Sequence, residues 1–402
     1  MRLRGFVVMV ALVVASTQPA LAGTGWKTRI DDLIGARQVS VAITDDGAYM
    51  YGHLAGRSRI PASNEKLLLS MALLDSLPAT ETLATVASVR DQLPLPPTGA
   101  VQGNLWLSSQ GDPSVGGARY DAELPFAATR MGTLARAIKA AGITSIEGRV
   151  KGSTAPFAHD WFAPGWRWDF PARYAPLPSA LSYDGNVHRG RHISDPELRA
   201  ARALTQKLRA IGVPVAGDPG AGAPPDPLTA VAEVRSPTLA VLMRYMNRHS
   251  SNFFAEVLGK RLGLLARGAP GTIAKGAAAI DAWAGGHGVE MVAHDSSGLS
   301  YDNRISARSL SHLIAVAEDT LWGDLLREML PSGGQGTLQD RFARVLVHAK
   351  TGTLDDVSAL SGWVWVKRRA TWAEFSILSR GLDKSVATAI EDRIVRIVAN
   401  EG

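Results

Sequence analysis

A chain of 402 residues is longer than one compact domain needs, so a core domain carrying a second one is expected. With 46% hydrophobic and 20% charged residues it can fill a core, which excludes a disordered polyelectrolyte. The 43 basic and 37 acidic residues leave a charge of +6, compatible with an anionic polymer or surface, and the absence of cysteine excludes disulfide frameworks, thiol nucleophiles and Cys-ligated metal centres.

Arg2 and Arg4 precede the apolar run Phe6 to Ala15, and Ala20-Leu21-Ala22 then leads to Gly23. A basic start, an apolar stretch too short to span a bilayer and a small-residue end read as a secretory leader cut after Ala22. Residues 1–22 are therefore expected to be removed, giving a secreted product, periplasmic in location. No later stretch is apolar enough to serve as a transmembrane anchor, and there is no cysteine to carry a lipid.

Trp26 to Leu33 reads as a short amphipathic helix. Val39 to Thr44 alternates as a strand, Asp45-Asp46-Gly47 supplies turn chemistry, and Ala48 to Leu54 returns, so a hairpin is expected. A mostly buried helix begins close to Ser63 and runs through Leu74. From Asp75 to Thr229 the texture changes to short apolar segments punctuated by Pro and Gly, including Leu93 to Pro97, and this reads as an inserted region. The resulting division is 23–74 for the first part of a core domain, 75–234 for an inserted domain and 235–402 for the second part. Ser236-Pro237-Thr238 offers a cap, with Pro237 in the first turn, for a helix ending near Arg248, and a second helix covers Asn252 to Leu265. Two strands, Ser358 to Val366 and Thr371 to Ser379, flank the basic turn Lys367-Arg368-Arg369, and a helix from Val386 to Ala399 follows. Strands near both ends must pair if the core is one sheet.

Three short patterns carry chemistry: Ser63-x-x-Lys66, Ser250-x-Asn252 and Lys350-Thr351-Gly352. Residues three apart on a helix share a face, so Ser63 and Lys66 bring a hydroxyl to an amine. Lysine ordinarily titrates at about 10.4, but a partly dry, cation-rich site disfavours its charge and makes a proton-accepting amine available. Ser63 at a helix start also points free N–H groups at a developing oxyanion. Ser250 and Asn252, where a loop meets a helix, can face one cleft; Ser250 can relay a proton, and Asn252 can hold an amide or pair with Lys66. Lys350 can attract a carboxylate, with the Thr351 and Thr353 hydroxyls adding hydrogen bonds, and Gly352 lets a substrate backbone approach.

Together these patterns resemble the serine β-lactamase and penicillin-binding protein superfamily. More narrowly, Pro61 to Leu67, Ser250 to Glu256, Asp295 to Ser300 and Lys350 to Gly362 resemble the D-alanyl-D-alanine carboxypeptidase/endopeptidase family of class C penicillin-binding proteins, the peptidase S13 type. Gly111-Asp112-Pro113 and Ser179 to Ser182 match that family too. The resemblance implies an α/β (α+β) fold, an antiparallel sheet flanked by helices with an inserted domain. It implies Ser63 as nucleophile, Lys66 as base, Ser250 as proton shuttle, Asn252 on the peptide, Lys350 with Thr351 and Thr353 on the terminal carboxylate, and the Ser63 and Thr353 N–H groups on the oxyanion. The implied substrates are peptidoglycan stem peptides, with β-lactams as inhibitors. Many members have Arg where this chain has Tyr301, with Arg304 the nearby substitute for gripping a second carboxylate.

Two other readings keep the same fold: a catalytically silent wall-binding protein, disfavoured because every reacting group is retained, and an esterase or β-lactamase, disfavoured by the long insert. No cofactor, metal or nucleic acid is expected. The nine histidines form no His-Glu-x-x-His helix, and Gly220-x-Gly222 has no helix behind it to receive a phosphate. Trp161, Trp166 and Trp168 read as packing before a sugar platform.

Overall fold

The computed structural model describes residues 25–90 and 98–402. The expected leader and the run Leu93 to Pro97 lie outside these residues.

Helix α1 (Trp26–Ile34) leads into a hairpin of β1 (Val39–Asp45) and β2 (Ala48–His53), and a single 3-10 turn, Ala62–Asn64, then enters α2 (Glu65–Ser76). The middle of the chain supplies β3 (Ala84–Val89), β4 (Leu105–Ser109), α3 (Met131–Ala140), β5 (Val150–Ser153), α4 (Pro196–Ala210), β6 (Gly220–Gly222) and β7 (Thr229–Arg235). Helices α5 (Leu239–His249), α6 (Asn252–Arg267), α7 (Ile273–Gly286) and α8 (Ala307–Glu318) follow. Strands β8 (Val347–Leu354), β9 (Val357–Val366) and β10 (Thr371–Arg380) then precede the closing helix α9 (Lys384–Glu401).

One five-stranded sheet runs β8-β9-β10-β1-β2, antiparallel throughout, with Val39 opposite Ser379. The two ends of the chain do pair in one sheet, as the strand patterns required. The period-two alternation of β1 sends Val39, Val41 and Ile43 to one face, where they meet Ile30 and Ile34 of α1 and Ile390, Ile394 and Val398 of α9. Ala42, Ala359, Trp363 and Leu378 face the other side, against α2, α5, α6, α7 and α8. Helices thus cover both faces, and α2 is enclosed on every side from Glu65 to Leu74.

A second sheet, β6-β5-β4-β3-β7, draws all its strands from residues 84–235 and mixes parallel and antiparallel pairs. Its own apolar core takes Leu134 and Ile138 from α3 and Leu204 and Leu208 from α4. This stretch, read as short apolar segments, therefore contains two amphipathic helices. The two motifs in it meet: the Ser182 hydroxyl donates to Asp112 O at 3.0 Å, and Asp112 is enclosed, accepting from Ser114 and Thr129. Farther on, α5 starts at Leu239 with Thr238 before it, so Pro237 sits outside the helix rather than in its first turn.

Candidate active site

The nucleophile candidate is presented by strained backbone. Ala62 has φ +47°, a left-handed conformation that costs an alanine energy, and Ser63 follows it in the 3-10 turn. Packing holds the turn in place. Gly298, at φ +81°, lies so close that a Cβ there would stand 1.9 Å from Ala62 O, and a Cβ on Gly352 would stand 2.9 Å from Pro61 O. Asn64 Nδ2 donates to Ser361 Oγ at 3.0 Å, tying the turn to β9.

Lys66, the second residue of the buried helix, ends 3.1 Å from Ser63 Oγ, 2.7 Å from Asn252 Oδ1 and 2.5 Å from Ser297 O. The Asn252 reading left open by its sequence resolves in part: its carbonyl pairs with Lys66, while its Nδ2 donates to Tyr174 O at 3.0 Å. Ser250 is the left-handed residue, φ 53°, that breaks α5 from α6, and this sharp turn aims both Ser250 and Asn252 into the cleft. Lys350 Nζ donates to Ser250 Oγ at 2.9 Å and to Thr351 O at 2.8 Å. Lys350 is fully enclosed, so it stands behind Ser250 rather than in the wall that a ligand touches.

Strand β8 is the edge of its sheet. Ala349 N donates outward to Pro331 O and Thr351 O accepts Lys350, so residues 349, 351 and 353 turn their backbone groups away from β9. The Thr353 N–H accordingly faces the cleft, as its expected part requires. Thr351 Oγ1 donates to Thr337 Oγ1 at 2.8 Å.

Burial governs the electrostatics. It pushes the Lys66 amine down to about 8, against the pull of Asp295, Glu256 and Glu65. Lys350 is driven well below its ordinary value by burial, then by the charges of Lys66 and Lys384. Burial lifts Glu256 to about 8 and Glu65 well above the usual carboxylate range. Two lysines with depressed affinity for protons flanking two serines form an arrangement suited to moving protons at an attacking hydroxyl.

The sequence-derived residues Ser63, Ser250, Asn252, Thr351 and Thr353 line one cleft of 690 Å³, with Lys66 and Lys350 behind them. Gly352 packs on the Ser63 turn instead. Sequence reading missed much of the remaining lining, Arg167, Asp169, Phe170, Arg173 and Tyr174 with Lys384, while Tyr301, which the resemblance singled out, stands among them. Arg304 is not there. Its guanidinium turns back to Tyr301 O and Asn303 O and lines a separate hollow. A different cation reaches the cleft beside Tyr301: Arg167 lies 4.9 Å over its ring, donates to its hydroxyl at 3.0 Å, and pairs with Asp355. Of the three tryptophans, Trp166 is buried and donates to Asp295 at 2.7 Å, Trp161 packs under Lys260, and Trp168 is exposed. Among the described residues, no three His, Asp or Glu side chains cluster to hold a metal.

The sequence profile of the D-Ala-D-Ala carboxypeptidase 3 (S13) family matches residues 28–191 and 186–401. The chain belongs to this family. It is a serine-type carboxypeptidase by membership, as its motifs implied. Similar proteins include a D-alanyl-D-alanine carboxypeptidase of Actinomadura sp. (strain R39), 25% identical over 90% of this chain and 81% of that protein. Carboxypeptidase DacB of Mycolicibacterium smegmatis is 28% identical over 86% of this chain and 77% of that protein. In fold, the chain matches penicillin binding protein 4 of Haemophilus influenzae with a TM-score of 0.78, 19% identity, and coverage of 92% and 99% of the two chains. A second structure of that Haemophilus protein is complexed with a β-lactam. The fold is thus the expected α/β one with an antiparallel sheet flanked by helices.

Proposed function

We propose that this S13 carboxypeptidase removes the terminal D-alanine of peptidoglycan stem peptides through an acyl-enzyme on Ser63, and that penicillins acylate the same oxygen. The contact of Lys66 Nζ with Ser63 Oγ, Asn252 Oδ1 and Ser297 O carries this reading. Ser63 Oγ forms the bond to the penultimate D-Ala carbonyl carbon as its proton passes to neutral Lys66. The Ser63 and Thr353 N–H groups stabilise the oxyanion. When the C–N bond breaks, the proton taken up by Lys66 is relayed through Ser250, which is hydrogen-bonded to Lys350, to the departing amine; water then adds to the ester carbonyl, giving up a proton that returns to Ser63 Oγ as the acyl group leaves. Thr351 and Thr353, with the Lys350 amine behind them, hold the terminal carboxylate. The same attack on a cross-link makes the protein an endopeptidase as well.

In this reading residues 75–234 are a domain inserted between core parts 23–74 and 235–402, and residues 1–22 are an export leader that delivers the enzyme to the periplasm. The test is to incubate the mature protein and Ser63→Ala with fluorescent penicillin, a D-Ala-D-Ala peptide and cross-linked muropeptides. Stable labelling with D-alanine release, both lost in the variant, is the expected result. Rapid penicillin turnover instead identifies a β-lactamase, and no reaction with any substrate identifies a wall-binding protein.

A further inference from the structure

The hydroxyls of Thr351 and Thr353 carry no charge to set against a carboxylate, and the lysine between Ala349 and Thr351 is turned away from them. Side chains alternate along a strand, so Thr351 and Thr353 share a face of the sheet with the residues opposite them, Leu360 and Ser358, and this is the face that α9 covers. Lys350 stands opposite Ser361 on the other face, where Asn64 donates to the Ser361 hydroxyl, and burial drives its enclosed amine toward the neutral form. Lys384, the first residue of α9, reaches the face of Thr353 instead. Its Nζ donates to Ser358 Oγ at 2.7 Å, and directly opposed side chains stand about 4.5–5.5 Å apart at Cβ, so the amine lies beside Thr353 in the lining of the cleft.

We propose that Lys384 is a substrate-binding residue: it supplies the positive charge that holds the terminal carboxylate against the Thr351 and Thr353 hydroxyls, and so makes the enzyme selective for acyl donors that carry a free acid. The proposal rests on the acyl-enzyme reading above. The charge is available. Arg167 and Arg173, the guanidinium groups lining the cleft, face Asp355 and Asp169, whereas among the described residues no carboxylate lies within ion-pair distance of Lys384. A chain of hydrogen bonds places its amine: Ser358 Oγ donates onward to Glu391 Oε1 at 2.6 Å, and Glu391 Oε2 accepts from Arg341 at 2.9 Å. Burial lowers the proton affinity of Lys384 while Glu391 raises it, and an arriving carboxylate raises it further, so binding and charging reinforce each other.

The experiment compares Lys384→Met, which removes the charge, with Lys384→Arg, which keeps it, each checked for folding by thermal melting. Acylation is followed with benzylpenicillin and with its methyl ester, and hydrolysis with a peptide ending in D-Ala-D-Ala and with the same peptide amidated at its C-terminus. Lys384→Met should lose about tenfold or more in acylation and kcat/KM on the two free acids, yet stay within about threefold of the parent on the ester and the amide. Lys384→Arg should return the rates on the acids to within about threefold of the parent. Equal losses on acid and ester mark a structural role and overturn the proposal, as does a Met variant that keeps its rates on the acids. Where the ester and amide react too slowly to follow, the Arg variant decides: one as impaired as Met overturns the proposal. A parent inert toward both acids overturns the acyl-enzyme reading and this one with it. A parent labelled by penicillin, with the label lost in Ser63→Ala, upholds that reading whatever Lys384 does, so the two failures are distinguishable.

Discussion

In the proposed mechanism Lys66 is the residue on which the chemistry turns, and its environment gives it a pH signature. An amine must be unprotonated to accept the Ser63 proton, and burial places its titration at about 8. Acylation by penicillin should therefore rise as pH increases through about 8, the protonated and inactive form dominating below it; a profile flat from pH 6 to 10 would contradict this. Lys66→Ala should slow acylation by roughly 10²–10⁴-fold, the usual worth of a positioned base, while the melting temperature reports separately on folding. Side chains that react were legible because serine, lysine and asparagine at fixed spacing are rare together. Ser297 O was not, since a backbone carbonyl leaves no mark on residue type. Nor was the Arg167 that lies over Tyr301, because only the fold brings the two together.

At the scale of elements, the site depends on two glycines pressed against the turn before Ser63. Gly298→Ala would both force φ +81° on an L side chain and drive its Cβ into Ala62 O. The expected cost is about 1–3 kcal/mol of stability, with a loss of acylation beyond what the melting shift explains because Ser63 itself moves. Stopped-flow labelling beside calorimetry would check it, and an unaffected acylation rate would show the turn to be held by other contacts. Hairpin β1–β2 and strands β9 and β10 were legible within a residue or two, their alternation and turn chemistry being local. Helix α7 went unread. Its sequence is crowded with Ala and Gly, which let it approach α6 so closely that a Cβ on Gly276 would stand 2.5 Å from Gly259 O. Small residues chosen for contact blur the apolar stripe by which a helix is recognised. In the middle region Pro and Gly marked the loops well but masked the helices between them.

For the molecule as a whole, export and catalysis are separable expectations. Expressed from its first residue in a bacterium with a secretory apparatus, the protein should be recovered outside the cytoplasm with Gly23 at its N-terminus, by mass spectrometry of the intact chain. A product retaining Met1 would remove the leader reading and leave the site untouched. The pairing of the chain ends was legible as a requirement once strands were seen near both; its register, Val39 opposite Ser379, was not, because it depends on which faces α1 and α9 cover.

That pairing has a consequence for biosynthesis. Strand β1 emerges early and is buried on both faces in the finished fold, yet the neighbour that completes its hydrogen bonding, β10, is made almost last. Throughout synthesis the nascent hairpin presents an open, sticky edge, an invitation to wrong partners that a holding chaperone must shield. Lys350 is also a late arrival. On the proposed mechanism an unfinished polypeptide therefore has no hydrolytic competence, and activity switches on only when the tail has cleared the ribosome and closed the sheet.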